Sequence, residues 1–127
     1  MSKSITRIRA RAYFRQKRCC YYCRCPMWLD DFLGFCSRNR LVPGLARALR
    51  CTAEHVIARQ DGGTNHPSNI VAACLRCNAG RHARKLPLPA DDFMHHVRRR
   101  IEKGKWHSFD VLRAGVLKLD SKSRLSC

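Results

Sequence analysis

Two Cys-x-x-Cys pairs, Cys20/Cys23 and Cys74/Cys77, lie far apart in the chain and constrain its folding more than any other feature. Four thiolates at this spacing suit a closed tetrahedral zinc site, in which two short knuckles are tied to one ion. At 127 residues the chain is long enough for one domain with a modest core, which bound metal would help to hold. Nine cysteines in such a chain could also belong to a secreted disulfide scaffold. The number is odd, however, and the N-terminus lacks the apolar stretch of a signal peptide, so reduced thiols with zinc fit better. Cys19, Cys25, Cys36, Cys51 and Cys127 are left over. Of these, Cys19 and Cys25 are close enough to the first knuckle to serve as alternative ligands.

Between the pairs and into the second runs an ordered series of polar elements: A-E-H-V-I at 53–57, D-G-G at 61–63, N-I-V at 69–71 and C-L-R-C-N at 74–78. Together with C-Y-Y-C at 20–23, this order resembles the HNH endonucleases, the zinc-knuckle branch of the ββα-metal nucleases. In that family an acidic-His pair closes one strand, a Gly-Gly loop follows, an Asn opens the next strand and a final His or Asn starts a helix. The spacing here is close to the family's, with fourteen residues from His55 to Asn69 and nine from Asn69 to Asn78. The resemblance covers residues 20–23 and 51–85. It implies an α+β fold, a small ββα-metal core stabilised by the four-cysteine zinc site, with flanking helices.

Hydrolysis of a phosphodiester needs an activated water, a cation to neutralise charge on the phosphoryl oxygens, and help for the leaving oxygen. A histidine suits the first task, because its unperturbed pKa near ~6.5 leaves it largely neutral and able to accept a proton at physiological pH. By resemblance that base is His55, and Glu54 with the Asn78 amide oxygen would hold a Mg²⁺ or Mn²⁺ ion, a hard cation that prefers oxygen ligands. Asn69 would brace the loop and orient the histidine. The family's products carry 5′-phosphate and 3′-hydroxyl ends, and duplex DNA is the implied partner. Three positions depart from the family pattern: Glu54 stands where many members have Asp, Ala58 where a proline usually follows, and Arg81 where a Lys is expected. Arg81 can still grip phosphate in bidentate fashion. Solitary histidines are more often structural, so His66, His82, His95, His96 and His107 receive no role, although His82 stands close to the second knuckle. A catalytically silent zinc module that binds nucleic acid, or a structural RNA-binding protein, has a similar composition and remains the rival.

Lysine and arginine total 26 against nine acidic residues, a formal net charge of +17. Such an excess drives binding to phosphate backbones through counterion release. Arg81, Arg84, Arg98, Arg99 and Arg100 are the side chains expected to meet DNA. No apolar run approaches the ~18 residues of a membrane span, so a cytoplasmic protein is expected. The chain reads as a single nuclease domain: a basic N-terminal helix over 1–19, a zinc-knuckle core over 20–85 with an insertion at 27–50, and C-terminal helices over 86–127. Residues 3–18 carry seven basic side chains, and the first acidic residue is Asp30. In the insertion, Trp28, Leu29, Phe32, Leu33 and Cys36 form one apolar stripe. Strands are expected near 50–56 and 69–73 and a helix over 75–84. Phe93, Val97 and Ile101 then give a further helix its apolar face, and Phe109, Leu112, Val116 and Leu119 mark a last one beginning after Ser108.

Overall fold

The computed structural model describes residues 3–121, with side chains described from Ser4 to Gly115. Cys127 therefore lies outside the described residues, as do the side chains of Val116 and Leu119. The described chain is a mixed helix and strand domain with a two-stranded antiparallel sheet.

Helix α1 (Lys3–Arg15) forms over a stretch free of glycine and proline, with Ile5 and Ala12 buried at helical spacing. It ends where Lys17 and Arg18 turn to positive φ, 57° and 67°. Gln16 then acts as a piece of strand. Its amide nitrogen donates to the Ala72 carbonyl at 2.8 Å and its oxygen accepts from the Ala72 N–H at 2.9 Å, which satisfies the free edge of the sheet. The first cysteine knuckle follows, its turn closed at Arg24 with φ 66°.

The sheet pairs β1 (Cys51–His55) with β2 (Ile70–Cys74), Cys51 facing Cys74 and His55 facing Ile70. Period-two alternation puts Thr52 and Glu54 on one face of β1 and Cys51, Ala53 and His55 on the other. The connecting loop needs both of its glycines: Gly62 adopts φ 93°, and a Cβ on Gly63 would run into the Ile57 carbonyl. Strand β2 passes directly into helix α4 (Leu75–His82), whose first turn is capped by the Cys74 sulfur. The sheet and this helix thus bring the second cysteine pair, Glu54 and Asn78 into one small volume.

Helices α2 (Phe32–Asn39) and α3 (Pro43–Ala46) fill the insertion. Asp31 caps α2 by accepting from the Gly34 N–H at 3.2 Å. The expected stripe is corrected at one position: Leu33 is 74% exposed, because a helix that begins at Phe32 turns Phe35 and Cys36 inward instead. Helix α5 (Ala90–Glu102) carries Asp91 and Asp92 in its first turn and buries Phe93 and Val97. Helix α6 (Phe109–Ser121) also departs from expectation. Phe109 is exposed, and Val111 and Ala114 face the core, because a helix that begins at Phe109 turns positions 111 and 114 inward, three residues apart on one face. Among the described residues no helix is long and apolar enough to cross a membrane.

Candidate metal centre and active site

The fold brings Cys20, Cys23, Cys74 and Cys77 together as a buried cluster, their sulfurs all within 4.8 Å of one another. Cys23 and Cys74 are 3.9 Å apart, against the ~3.8 Å edge of a tetrahedron with zinc–sulfur bonds of ~2.3 Å. Burial pushes the thiols of Cys23 and Cys77 up, and hydrogen bonding to Cys20 and Cys23 does the same to Cys74. At Cys20 the cost of burial is outweighed by hydrogen bonds from Cys23, Cys74 and Cys77, which bring its pKa down. Four thiolates in so buried a pocket require a compensating cation. The donor set therefore fits zinc. Among the described residues, Cys19 joins no such cluster, and Cys25 groups with Cys23 and His107. Burial raises Cys51 to about 12, which keeps it a neutral thiol opposite Cys74.

Glu54 is the least expected feature. It is 1% exposed, although it is the penultimate residue of β1, next to half-buried His55. Its Oε2 accepts from the Tyr22 hydroxyl at 2.8 Å and from Arg81 at 3.0 Å, and its Oε1 lies 2.9 Å from His82 Nε2. Burial and then the Glu54 charge raise the Tyr22 pKa, which holds Tyr22 as a hydroxyl donor. Arg81, expected to meet phosphate, is instead an internal clamp. Beyond Glu54, its guanidinium donates to the carbonyls of His55, Val56 and Leu88, at 2.9, 2.9 and 3.0 Å, tying the end of α4 to the end of β1. Arg81→Met should accordingly leave a buried carboxylate without its counter-charge and destabilise the fold by about 3–5 kcal/mol. Chemical denaturation checks this, and a loss below about 1 kcal/mol would mean that Tyr22 and His82 suffice for Glu54.

His55 is half-buried, and its Nε2 lies 2.8 Å from Asn65 Oδ1. In the tautomer that donates Nε2–H to this oxygen, Nδ1 carries the free lone pair. Asn65 went unrecognised in the sequence, where nothing sets it apart from other loop asparagines. Asn69 secures the loop. Its Oδ1 accepts from Ile57 N–H at 2.8 Å, and its Nδ2 donates to the carbonyls of Ile57 and Thr64 at 3.1 and 2.9 Å. Asn78 uses Nδ2 on Thr52 Oγ1 and the Ala53 carbonyl, at 2.9 and 3.2 Å, which holds its amide against β1.

His82, given no role by sequence, stands beside Glu54 with a third of its side chain exposed. The available signal was its spacing, four residues after Asn78 on one face of α4. The 2.9 Å between Glu54 Oε1 and His82 Nε2 is close to the ~3.0 Å that adjacent ligands of an octahedral cation keep at bonds of ~2.1 Å. Glu54 Oε1 and His82 Nε2 thus stand at a spacing that one divalent cation could span, while Arg81 stays on the other carboxylate oxygen.

The remaining arginines form the outer surface. Arg84, Arg99 and Arg100 are exposed, and Arg98 donates to the Tyr22 carbonyl at 3.4 Å. Desolvation and then Arg84, Arg100 and Arg99 lower the pKa of His96, so these three guanidinium groups act on one place. A groove of about 710 Å³ between Tyr13, Trp28, Phe35 and Arg38 is lined by none of Glu54, His55 or Asn78.

No curated protein and no solved structure matches the chain. The family match that exists takes in β1, the Gly62-Gly63 loop, β2, the second cysteine pair and α4, but not Cys20 or Cys23. Residues 36–84 match the family model of the HNH endonucleases.

Proposed function

We infer that this chain is a metal-dependent endonuclease acting on DNA, built on a zinc-stabilised ββα-metal core. The observation that carries the reading is the contact of Glu54 Oε1 with His82 Nε2, immediately beside a histidine whose Nε2 is already committed to Asn65. His55 Nδ1 takes the proton of the attacking water, and Asn65 keeps the ring in the tautomer that allows it. Asn69 holds the loop behind His55, and Arg81 holds the carbonyl of the same residue. Glu54, Asn78 and His82 would hold the divalent cation, which supplies charge neutralisation at the phosphoryl and leaving oxygens. Zinc at Cys20, Cys23, Cys74 and Cys77 would be structural, since the four thiolates leave no open position. Incubation of supercoiled plasmid with the protein and Mg²⁺ or Mn²⁺ tests the reading. Nicked or linear product is expected, and its absence with either metal would favour the silent nucleic-acid-binding module, to which the deep burial of Glu54 also lends itself.

DNA binding by such a surface should be largely indifferent to sequence and steep in salt. Arg7, Arg11 and Arg15 line the exposed side of α1 at intervals of one turn, in addition to Arg84, Arg99 and Arg100. Replacing Arg84, Arg99 and Arg100 together by Gln should lower the slope of log affinity against log salt by about 2–3. A salt titration on one duplex measures this. An unchanged slope would remove these residues from the interface.

A further inference from the structure

Each sulfur of the cysteine cluster lies within hydrogen-bond reach of a nitrogen, and these partners divide into two kinds. The knuckle backbones serve one sulfur of each pair. Cys20 Sγ accepts from the N–H groups of Tyr22 and Cys74 at 3.4 and 3.3 Å, and Cys74 Sγ from Cys77 N–H at 3.4 Å. The other sulfur of each pair is served from a distant turn. Trp106 Nε1 donates to Cys77 Sγ at 3.3 Å, and His107 Nε2 lies 3.3 Å from Cys23 Sγ. Consecutive ring nitrogens thus complete what the knuckles leave undone.

The turn is built for that placement. Trp106 has φ 78°, a conformation that a bulky L-residue adopts only when its surroundings impose it. Those surroundings are specific. The Arg76 guanidinium stacks on the indole at 3.8 Å and donates through Nε to the Trp106 carbonyl at 3.2 Å. Phe93 meets the ring edge-on at 5.7 Å, and Gly80 leaves no space for a Cβ beneath it. His107 is 6% exposed. A buried imidazole and a strained indole, both aimed at sulfur, have no part in phosphodiester hydrolysis.

We propose that the Trp106–His107 turn is a cap on the tetrathiolate zinc site, retaining the ion by donating one N–H bond to each sulfur the knuckles do not serve. The proposal rests on the zinc reading above. With its Nε2–H tautomer His107 donates to Cys23, and Trp106 donates to Cys77; the two bonds draw charge from a site that carries a formal surplus of two negative charges once zinc is bound to four thiolates. They also fasten the segment after α5 to the core, where no strand or knuckle reaches it. Cys25 and His107 could alternatively act as ligands with Cys23 for a second ion, since these three side chains also lie within ligand range of one another. The cap is favoured because one donor each is what Cys23 and Cys77 lack, and because Trp106, which cannot ligate, does for Cys77 what His107 does for Cys23.

The test is the transfer of zinc from the 127-residue chain to a chromophoric chelator, with zinc content by elemental analysis. Trp106→Phe keeps the stacked ring and loses the N–H, and His107→Ala loses the imidazole. Each is expected to retain one zinc per chain and to bind it about 10–100-fold more weakly, with His107→Gln recovering part of the loss through its amide. Parental affinity in both Trp106→Phe and His107→Ala would overturn the cap, as would a fall from two metal ions per chain to one in His107→Ala. A parent protein that binds no zinc would instead sink the zinc reading itself. Should a variant fail to fold, the unmodified protein loaded with cadmium-113 still decides. The Trp106 indole proton should show a scalar coupling to the metal through the N–H···S bond, and its absence would refute the contact.

Discussion

Stripping the metal by a strong chelator, or replacing Cys74 by Ser, is expected to unfold the domain if zinc occupies the cysteine cluster as proposed. The four sulfurs join the two knuckles directly, and the binding free energy of a four-cysteine zinc site, about 10–16 kcal/mol in isolated peptides, matches or exceeds the ~5–15 kcal/mol that holds an ordinary domain together. Cys74 is the most exposed to this loss. It ends β2, pairs with Cys51, caps α4 and contributes a sulfur to the cluster. Its replacement would therefore uncouple strand from helix as well as from metal, and would release the helix that carries Asn78, Arg81 and His82. Circular dichroism and zinc analysis before and after treatment with a strong chelator check the first half. Thermal melting of Cys74→Ser checks the second, with Cys36→Ser as the control, a buried cysteine outside the cluster. A Cys74→Ser protein that melts with the parent would remove zinc from the account of the fold.

His55→Ala should abolish cleavage while leaving the molecule otherwise intact. The side chain makes one polar contact, to Asn65, and Arg81 binds the backbone carbonyl, which alanine keeps. Folding, zinc content and DNA affinity should accordingly match the parent, while loss of the general base costs about two to four powers of ten in rate. Single-turnover cleavage of a defined duplex at one metal concentration gives the number. Glu54→Ala is the weaker experiment. It would also strand Arg81 and Tyr22 in the interior, so a loss of activity there would mix a missing metal ligand with a damaged fold. His82→Ala separates the two more cleanly, because His82 is partly exposed: its activity should fall and recover in part at high Mn²⁺. Parental cleavage by His55→Ala would show the base to be misassigned.

Much of the site could be read from the linear order of residues, because its chemistry depends on local spacing. Two Cys-x-x-Cys turns place thiolates on their own, and an acidic-His pair at a strand end needs no distant partner to be recognised. The β1 and β2 segments and α4 followed from the same order, since a Gly-Gly loop and a knuckle bound them. What spacing could not supply was the side of each residue that faces inward and what it meets there. Leu33 and Phe109 fit a helical period, yet the observed helix starts turn them to solvent. Arg81 looks like a phosphate ligand in sequence and is an internal clamp in space, because Glu54 is buried and needs a counter-charge. Asn65, His82 and the Trp106–His107 turn have their roles only through contacts made across the fold, with His55, Glu54 and the cluster sulfurs. Local order specified the cysteine pairs and the strand-end Glu-His pair; burial and long-range packing decided which charges were paired and which side chains meet the cluster sulfurs.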